Sequence, residues 1–358
     1  MKYKQKIKEI ILRLPKGETV WFPAVQFVRK HVFHPFYTMK KEYDEKKEAD
    51  YILKRMQADD FAEAILVYDA KVSPLTYGDF FNMVMLARYF SMVGKKAKLY
   101  ILAGEYREDM LEAYGYSSAK SFINNLLELP HVLLSGEKEK ISITVFDHFT
   151  EMMDACKNKP ATIVVFRNEV FKRESVYKHY FNLINILISP DDIQMLDKFL
   201  LDRNDMGSIK NIQYPSKPYI TWGARYSEKW AFYRNLDAGE MVHIHAELKK
   251  MFPDHDVMIV SDAKGCAYFR EIAQKHHLPC LFSKDFSKTF MGDCALVVGS
   301  DYYFQLRGGG IGVAAMFSNV AHCIICTPGN EKVWQKKGIT RWARKNQIWI
   351  TGRTGLPL

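Results

Sequence analysis

The sequence predicts an α/β protein in which two Rossmann-like domains face each other across a cleft, preceded by a helical extension. Apolar segments typical of buried strands alternate with longer helical segments at 63–168, and the alternation restarts at 219–327. Such alternation favours βαβ units and parallel sheets. A polar segment with two prolines, at 211–218, separates the two series and is typical of a linker. We therefore expect a basic helical extension at 1–60, a first α/β domain at 61–212 and a second at 213–358.

The first series begins with a buried-strand pattern and continues as alternating strands and helices. Strands are predicted at 63–70, 96–104, 141–147 and 161–168, and helices at 79–94, 106–115, 148–158, 174–189 and 190–201.

The second series repeats this organisation with shorter strands. Strands are predicted at 219–224, 256–262, 278–283, 294–300 and 321–327, and helices at 238–252, 266–276 and 311–317.

Composition limits the class of protein. Among 358 residues, 48% are hydrophobic and 14% aromatic, which supplies a core and excludes a disordered chain. No apolar run reaches the roughly 18 residues of a membrane span, and no secretory signal pattern is present. The six cysteines lie in strand-like segments and are typical of reduced thiols, so we expect a cytoplasmic protein. The net charge of +10 favours an anionic partner, such as nucleic acid, a membrane or a phosphorylated substrate.

The N-terminal segment 1–14 has the pattern of a basic amphipathic helix, with its apolar residues on one stripe and lysines around it. Such a helix can lie on an anionic membrane surface, at the inner face of the membrane, or dock on its own protein. The docked arrangement is favoured because no Trp or Phe reinforces the stripe. The apolar residues are Tyr3, Ile7, Ile10, Ile11 and Leu14.

Polar residues follow the predicted strands of the second domain, where ligands of parallel sheets bind. Arg225 follows the first strand, Ser261 and Asp262 end the second, and Ser300 ends a later one. A guanidinium can bind a diphosphate through two parallel hydrogen bonds, which an ammonium cannot do. The alternative for Arg225 is an ordinary exposed loop arginine.

A glycine-rich segment, 308–312, precedes the predicted helix at 311–317. Glycines allow the backbone to approach a phosphate closely, and helix starts attract anions. The segment is neither a Walker loop nor a dinucleotide fingerprint. It is therefore interpreted as a ligand contact or as a structural turn.

The first domain offers a carboxylate, Asp69, at the end of its first strand. Asp69 could act as a general base or bind an acceptor, and Asp79 could cap the following helix. The segment Thr76-Tyr77-Gly78 between them is a candidate substrate contact.

Several features do not indicate sites. Cys323-x-x-Cys326 lies in an apolar strand without a second ligand pair, so zinc is not expected. No Asp-x-Asp motif follows a strand, which argues against a metal-bridged nucleotide. The basic, aromatic C-terminal segment 342–353 is better interpreted as a packing helix than as a nucleic-acid contact.

The segments TYGDFF, YITWGARYSEKWAFYRN, VMIVSDAKG and VVGSDYYFQLRGGG together resemble GT-B glycosyltransferases, including heptosyltransferase-like enzymes and bacterial surface-sugar enzymes. The series is also similar to the α1,6- and protein O-fucosyltransferases, in which an arginine at a strand end holds GDP. Arg225 occupies that position, although the sequence reads Gly223-Ala224-Arg225 where that group has His-x-Arg-Arg-x-Asp.

The resemblance implies a glycosyltransferase that needs no metal and no cofactor. It would transfer a sugar from a GDP- or UDP-linked donor to a glycan or lipid-linked acceptor in cell-surface polysaccharide synthesis. The open alternatives are a nucleotide-sugar epimerase on the same fold and a non-catalytic nucleic-acid or glycan-binding protein. The expected catalytic residues are Arg225, Asp69 and Arg307; donor-binding residues Arg225, Lys229, Ser261, Asp262, Ser300, Gly308, Gly309, Gly310 and Gly312; and substrate-binding residues Thr76, Tyr77, Gly78, Arg234 and Asn235.

Overall fold

The computed structural model describes ten stretches of the chain: residues 34–69, 77–103, 119–137, 139–157, 161–165, 176–189, 191–226, 235–305, 310–326 and 349–351. The chain divides into two compact units, 1–58 and 59–358. The first unit contains helix α1 (His34–Gln57). The amphipathic helix expected at 1–14 and the helix expected at 106–115 lie outside the described residues.

The first sheet of the larger unit has four parallel strands in the order β3-β2-β1-β4. These are β1 (Glu63–Asp69), β2 (Lys96–Leu102), β3 (Ile141–Phe146) and β4 (Thr162–Val165). The accompanying helices are α2 (Tyr77–Met92), α3 (Ala119–Leu133), α4 (Phe149–Cys156), α5 (Val176–Leu187) and α6 (Ile193–Phe199), with a short 3₁₀ helix at Ser135–Glu137.

The second sheet has six parallel strands in the order β10-β9-β8-β5-β6-β7. Its strands are β5 (Tyr219–Gly223), β6 (Asp256–Val260), β7 (Cys280–Phe282), β8 (Tyr302–Gln305), β9 (Ala321–Cys326) and β10 (Trp349–Thr351). Its helices are α7 (Ala238–Met251), α8 (Ala263–Lys275), α9 (Ser283–Phe286), α10 (Phe290–Val298) and α11 (Gly310–Met316).

Both sheets follow one strand order. Numbered within its own sheet, the second sheet reads 3-2-1-4-5-6, which is the Rossmann order, and the first sheet reads 3-2-1-4. The prediction of two Rossmann-like parallel sheets is therefore confirmed. The domain boundaries expected after residues 60 and 212 stay predictions.

The second sheet is covered on both faces, which explains its short apolar strands. On one face Trp222 and Phe304 pack with residues of α7 and α8, such as Leu248 and Phe269. On the other face Tyr303 packs with residues of α10 and α11. The alternation of side chains along β8 thus sends Tyr303 and Phe304 into opposite layers.

One predicted strand, at 294–300, is wrong, because this apolar segment forms most of helix α10. The Thr289 hydroxyl accepts the Gly292 N–H at 3.0 Å and caps the start of the helix. Every residue of α10 after Phe290 is buried, so its sequence has no polar face that would mark a helix. The strand follows later, as β8.

The starts of α2 and α11 touch, which brings the carboxyl edges of the two sheets together, since α2 follows β1 and α11 follows β8. A Cβ atom on Gly78 would lie 3.5 Å from the Gly310 Cα atom. The Tyr77 ring stacks on Phe290 at the start of α10, with ring centroids 3.9 Å apart. Farther along, Phe81 of α2 packs against Phe317, the residue that follows α11, with parallel rings whose centroids are 6.3 Å apart.

This contact predicts that Gly310→Ala destabilises the protein. A Cβ atom at Gly310 would lie 2.9 Å from the Tyr77 Cβ atom and 3.0 Å from the Phe290 ring. We expect a loss of about 1–3 kcal/mol in the free energy of unfolding, as for overpacked sites, measured by urea denaturation. Gly136→Ala is the control, because no atom lies within 4 Å of its added Cβ. Equal stability of both variants would contradict the packing role of Gly310.

Candidate functional site

The carboxyl edge of the second sheet contains a topological switch point between β5 and β8. The chain leaves β5 toward α7 on one face and leaves β8 toward α11 on the other. Gly223 and Gln305, the last residues of these strands, are partners in the parallel ladder. Ligands of open α/β sheets bind in the crevice that such diverging connections leave. The candidate site is therefore built around these two strand ends.

Arg225 lies two residues beyond the end of β5 and is half-buried. The Ala224 N–H donates to the Val260 carbonyl at 3.2 Å, which extends the contact between β5 and β6 up to Arg225. The next residue, Tyr226, stacks on Tyr268 of α8 with ring centroids 4.3 Å apart. Arg225 thus lies at the carboxyl edge of the sheet, between Ala224 and Tyr226, which are both held by these contacts. The sequence predicts a diphosphate contact at this edge.

Ser261 and Asp262 follow β6 and lead into α8. Asp262 is the N-cap of this helix, since its Oδ1 accepts the Gly265 N–H at 2.7 Å. A Cβ atom on Gly265 would lie 2.1 Å from the Ser261 hydroxyl oxygen, so the first turn of α8 rests on Ser261. Both residues lie at the expected edge, and their role in donor binding stays a prediction.

Ser300 is the residue that the structure moves away from the site. It precedes β8, at the amino edge of the sheet, because the segment before it is helical. Its hydroxyl donates to the Val297 carbonyl at 2.7 Å and lies 2.8 Å from the Thr221 hydroxyl. The expectation that Ser300 follows a strand is therefore wrong, and its contact with a ligand stays a prediction. Asp301 beside it accepts a hydrogen bond from His255 at 3.2 Å.

The glycines at the start of α11 have a packing reason. Gly310 lies against Tyr77 and Phe290, and a Cβ atom on Gly312 would lie 2.2 Å from the Gln305 Oε1 atom. Among the four glycines of 308–312, Gly310 and Gly312 are thus explained by side chains that pack too closely to leave room for a Cβ atom. Gly308, Gly309 and Arg307 lie outside the described residues, as do Lys229, Thr76 and Arg234. Phosphate binding by this segment stays a prediction.

Gln305 is a candidate site residue that sequence reasoning missed. It is only 4% exposed, it ends β8 at the switch point, and its Oε1 atom is buried without a hydrogen bond. The signal was present in the sequence as the last residue of an alternating segment, YYFQ. The sequence does not identify Gln305 as a strand end, because the apolar segment before it, 294–300, has the pattern of a strand.

The first sheet has a corresponding switch point between β1 and β4, but a side chain closes it. The ladder between these strands ends at Leu66 and Val165, whereas β1 continues to Asp69. The buried Tyr180 of α5 donates its hydroxyl hydrogen to the Val67 carbonyl and lies 3.4 Å from the Val165 carbonyl. The backbone at this position is therefore already satisfied.

The predicted substrate residues of the first sheet divide into two groups. Asp69 lies at the carboxyl end of β1 and is 7% exposed. Tyr77 and Gly78 instead pack at the helix starts, with the Tyr77 ring between Phe290 and Phe122. Asp79 does not cap α2, which begins two residues earlier at Tyr77, but lies in its first turn.

Asn235 lies in the connection between β5 and α7. It is half-buried and stands two positions before Asp237, the N-cap of α7.

A buried ion pair lies beside the carboxyl end of β7. The Lys284 ammonium donates to Asp293 Oδ2 at 2.5 Å. Burial raises the pKa of Asp293 to about 6, and the Lys284 charge opposes this shift without cancelling it. Asp293 is therefore a carboxyl group that titrates near neutral pH.

The described part of the chain contains no group of three or more His, Cys, Asp or Glu side chains that could hold a metal ion. None of the described helices is long and apolar enough to cross a membrane.

The fold and the site define a Rossmann-like α/β protein with two parallel sheets. No protein-family model matches the chain, and no curated protein matches it. The chain is similar to the solved structure of the glycosyl transferase family 9 protein from Veillonella parvula DSM 2008, with 8% identity, coverage of 82% of this chain and 86% of that chain, and a TM-score of 0.45.

Two further similarities are of the same kind. The E. coli ADP-heptose lps heptosyltransferase II shares 10% identity over 82% of this chain and 92% of its own, with a TM-score of 0.38. The UDP-GlcNAc 2-epimerase from Neisseria meningitidis, bound to UDP-GlcNAc, shares 10% identity over 74% of this chain and 81% of its own, with a TM-score of 0.33.

The pKa of Asp293 predicts a pH-dependent stability. Because the folded pKa of Asp293, about 6, exceeds the ordinary aspartate pKa of 3.8, the stabilising contribution is complete below pH 3.8 and is lost as the pH rises through 6. Relative to Asp293→Asn, the wild type should lose up to about 3 kcal/mol between pH 4 and pH 7. Urea denaturation of both proteins across this range measures the difference.

Asp285→Asn is the matched control for this experiment. Asp285 on α9 forms an exposed ion pair with Arg270 at 2.7 Å, and exposed pairs contribute little to stability. Its stability curve should run parallel to that of the wild type. A difference between wild type and Asp293→Asn that is constant with pH would contradict the raised pKa.

Proposed function

We propose that this protein is a glycosyltransferase that moves a sugar from a nucleoside-diphosphate sugar to a hydroxyl group of a glycan or lipid-linked acceptor. The observation that carries the proposal is the position of Arg225 beside the switch point of a sheet with Rossmann strand order. The resemblance of the surrounding segments to GT-B glycosyltransferases supports the same reaction class.

The donor would lie at the carboxyl edge of the second sheet. Arg225 would hold the diphosphate through two parallel hydrogen bonds. Ser261 and Asp262 lie at the end of the neighbouring strand, where a ribose is bound in Rossmann folds. Asp262 uses only Oδ1 to cap α8 in the described contacts, which leaves Oδ2 for a ligand hydroxyl. The asymmetry of the two sheets supports this choice, since Tyr180 closes the other switch point.

The acceptor would approach from the carboxyl edge of the first sheet. The contact between the starts of α2 and α11 brings this edge next to the second sheet. Asp69 lies at the end of β1 and is the carboxylate that we assign as the base. Its limited exposure, 7%, suits a group that must accept a proton away from bulk water.

In the proposed reaction, Arg225 and Asp69 each have one role. The acceptor oxygen attacks the anomeric carbon, and the bond from that carbon to the phosphate oxygen breaks. The electron pair of that bond stays on the departing diphosphate, whose charge Arg225 stabilises. The acceptor proton passes to Asp69. In this reaction an arginine stabilises the leaving group, the role that a metal ion has in other transferases.

We also propose that the reaction serves cell-surface polysaccharide synthesis at the cytoplasmic face of a membrane. The net charge of +10 supports this, because anionic lipids attract basic surfaces. An amphipathic, lysine-rich segment at 1–14 would add to the attraction.

The donor site predicts a selective thermal stabilisation. One of UDP, GDP, ADP, CMP or dTDP at 100 times its Kd should stabilise the wild type by about 2.7 kcal/mol, seen as a higher Tm. Arg225→Ala should abolish this shift. Arg203→Ala is the control, because Arg203 bonds the Gly299 carbonyl at the amino edge of the same sheet. No shift with any of these nucleotides would refute the proposed function.

The assignment of Asp69 predicts a loss of transfer without a loss of donor binding. Asp69→Asn should lower kcat by roughly 10²–10⁴-fold, the usual contribution of general base catalysis, with an unchanged Kd for the nucleotide. Transfer is measured as nucleoside diphosphate released in the presence of acceptor. Asp301→Asn, at the amino edge, should retain full activity. Exchange of solvent deuterium into the donor without acceptor would instead indicate an epimerase.

A further inference from the structure

The Gln305 amide lies at the position where the proposed donor site meets the sheet. Gln305 ends β8 and is the ladder partner of Gly223 at the end of β5. Neighbouring strands are about 4.8 Å apart, and Arg225 follows Gly223 by only two residues. Gln305 therefore forms part of the floor of the crevice whose rim carries Arg225.

Space for this amide is provided by a glycine. A Cβ atom on Gly312 would lie 2.2 Å from the Gln305 Oε1 atom and 3.4 Å from its Cδ atom. Any larger residue at position 312 would displace the amide. The Gln305 side chain thus lies between β8 and the first turn of α11.

The Oε1 atom of Gln305 is buried and accepts no hydrogen bond. A buried polar atom without a partner lowers stability, and an apolar side chain of similar length would avoid the cost. On the same face the buried Thr221 hydroxyl has a partner in Ser300 at 2.8 Å, whereas the ring nitrogens of His322, like Gln305 Oε1, have none. The missing partner of Gln305 Oε1 is a hydrogen-bond donor, and Gln305 lies at the switch point between β5 and β8.

The chemistry of Oε1 restricts what that partner can be. A carbonyl oxygen only accepts, so the ligand group must carry a hydrogen. The ionised phosphates of a nucleoside diphosphate carry none at neutral pH, whereas the hydroxyl groups of ribose and of a sugar do. A neutral amide also adds no charge beside the diphosphate.

We propose that Gln305 is a donor-binding residue whose amide accepts a hydrogen bond from a hydroxyl group of the nucleotide sugar. This inference rests on the proposed function, since it assigns a further contact within the same site. The hydroxyl belongs to the ribose or to the transferred sugar, and both sources share one chemistry.

The test measures stability and binding in Gln305→Met, which keeps the length of the side chain and removes the amide. The ligand-free variant should have a Tm equal to or about 1–3 °C above that of the wild type, because the unpaired amide is gone. Its Kd for the nucleotide sugar should rise about 10- to 100-fold, measured by calorimetry, because a hydrogen bond to ligand is lost.

Thr221→Val is the matched control, with a buried polar group that already has a partner. Thr221→Val should lower the Tm and leave the Kd for the nucleotide sugar unchanged, whereas Gln305→Met should keep or raise the Tm and raise the Kd. If Gln305→Met does not fold, Gln305→Leu gives the same measurement. A Kd for the nucleotide sugar within twofold of the wild type in either Gln305 variant overturns the proposal.

Ligand variants identify the hydroxyl and separate the two claims. If Gln305→Met binds the nucleoside diphosphate more weakly than the wild type does, but binds its 2′,3′-dideoxy form equally well, the hydroxyl belongs to the ribose. If the variant binds only the nucleotide sugar more weakly, the hydroxyl belongs to the transferred sugar. An equal loss with the dideoxy form and the ribose form overturns the hydroxyl contact. If the wild type binds no nucleotide, both proposals fail. If binding requires Arg225 but not Gln305, only this inference fails.

Discussion

The close approach of two helix starts is the constraint on which the candidate site depends. Gly78 and Gly310 bring the backbones of α2 and α11 together, and the Tyr77–Phe290 stack fills the space beside them. Because each helix follows a strand, this contact determines which edges of the two sheets meet. Had the amino edges met instead, Asp69 and Arg225 would lie on opposite sides of the molecule. Gly310, one of the glycines that suggested a phosphate loop, thus has a packing role.

Much of the fold could be predicted from the sequence, because strands such as β1 and β6 alternate with helices that have a polar face. Residues that directly follow such strands, Arg225 and Asp262, were therefore placed at the correct edge. The helix α10 is buried on all sides, so its apolar run has no period that separates helix from strand. This ambiguity moved Ser300 into the predicted site and concealed Gln305.

Other features could not be predicted because they arise from contacts between distant segments. No local pattern shows that the Tyr180 hydroxyl bonds Val67, or that Gly312 makes room for Gln305. The two sheets share a strand order, yet one switch point is filled and the other contains an unpaired amide. His322, whose pKa burial lowers to about 4, is likewise neutral within the second sheet. The hydrogen bonding and charge of a polar side chain in this core thus follow from its position in the fold and not from its residue type.

The parallel ladders have a consequence for the way the chain reaches its native state. Parallel neighbours require a crossover of a dozen or more residues, so none of the described strand pairs can form as a local hairpin. Ordering distant segments costs entropy before their contacts can form, which makes such topologies slow to fold. The bond from Tyr180 to Val67 joins residues 113 positions apart. Folding intermediates of this chain would expose unpaired strand edges for longer than those of a helical protein, which favours aggregation during refolding at high concentration.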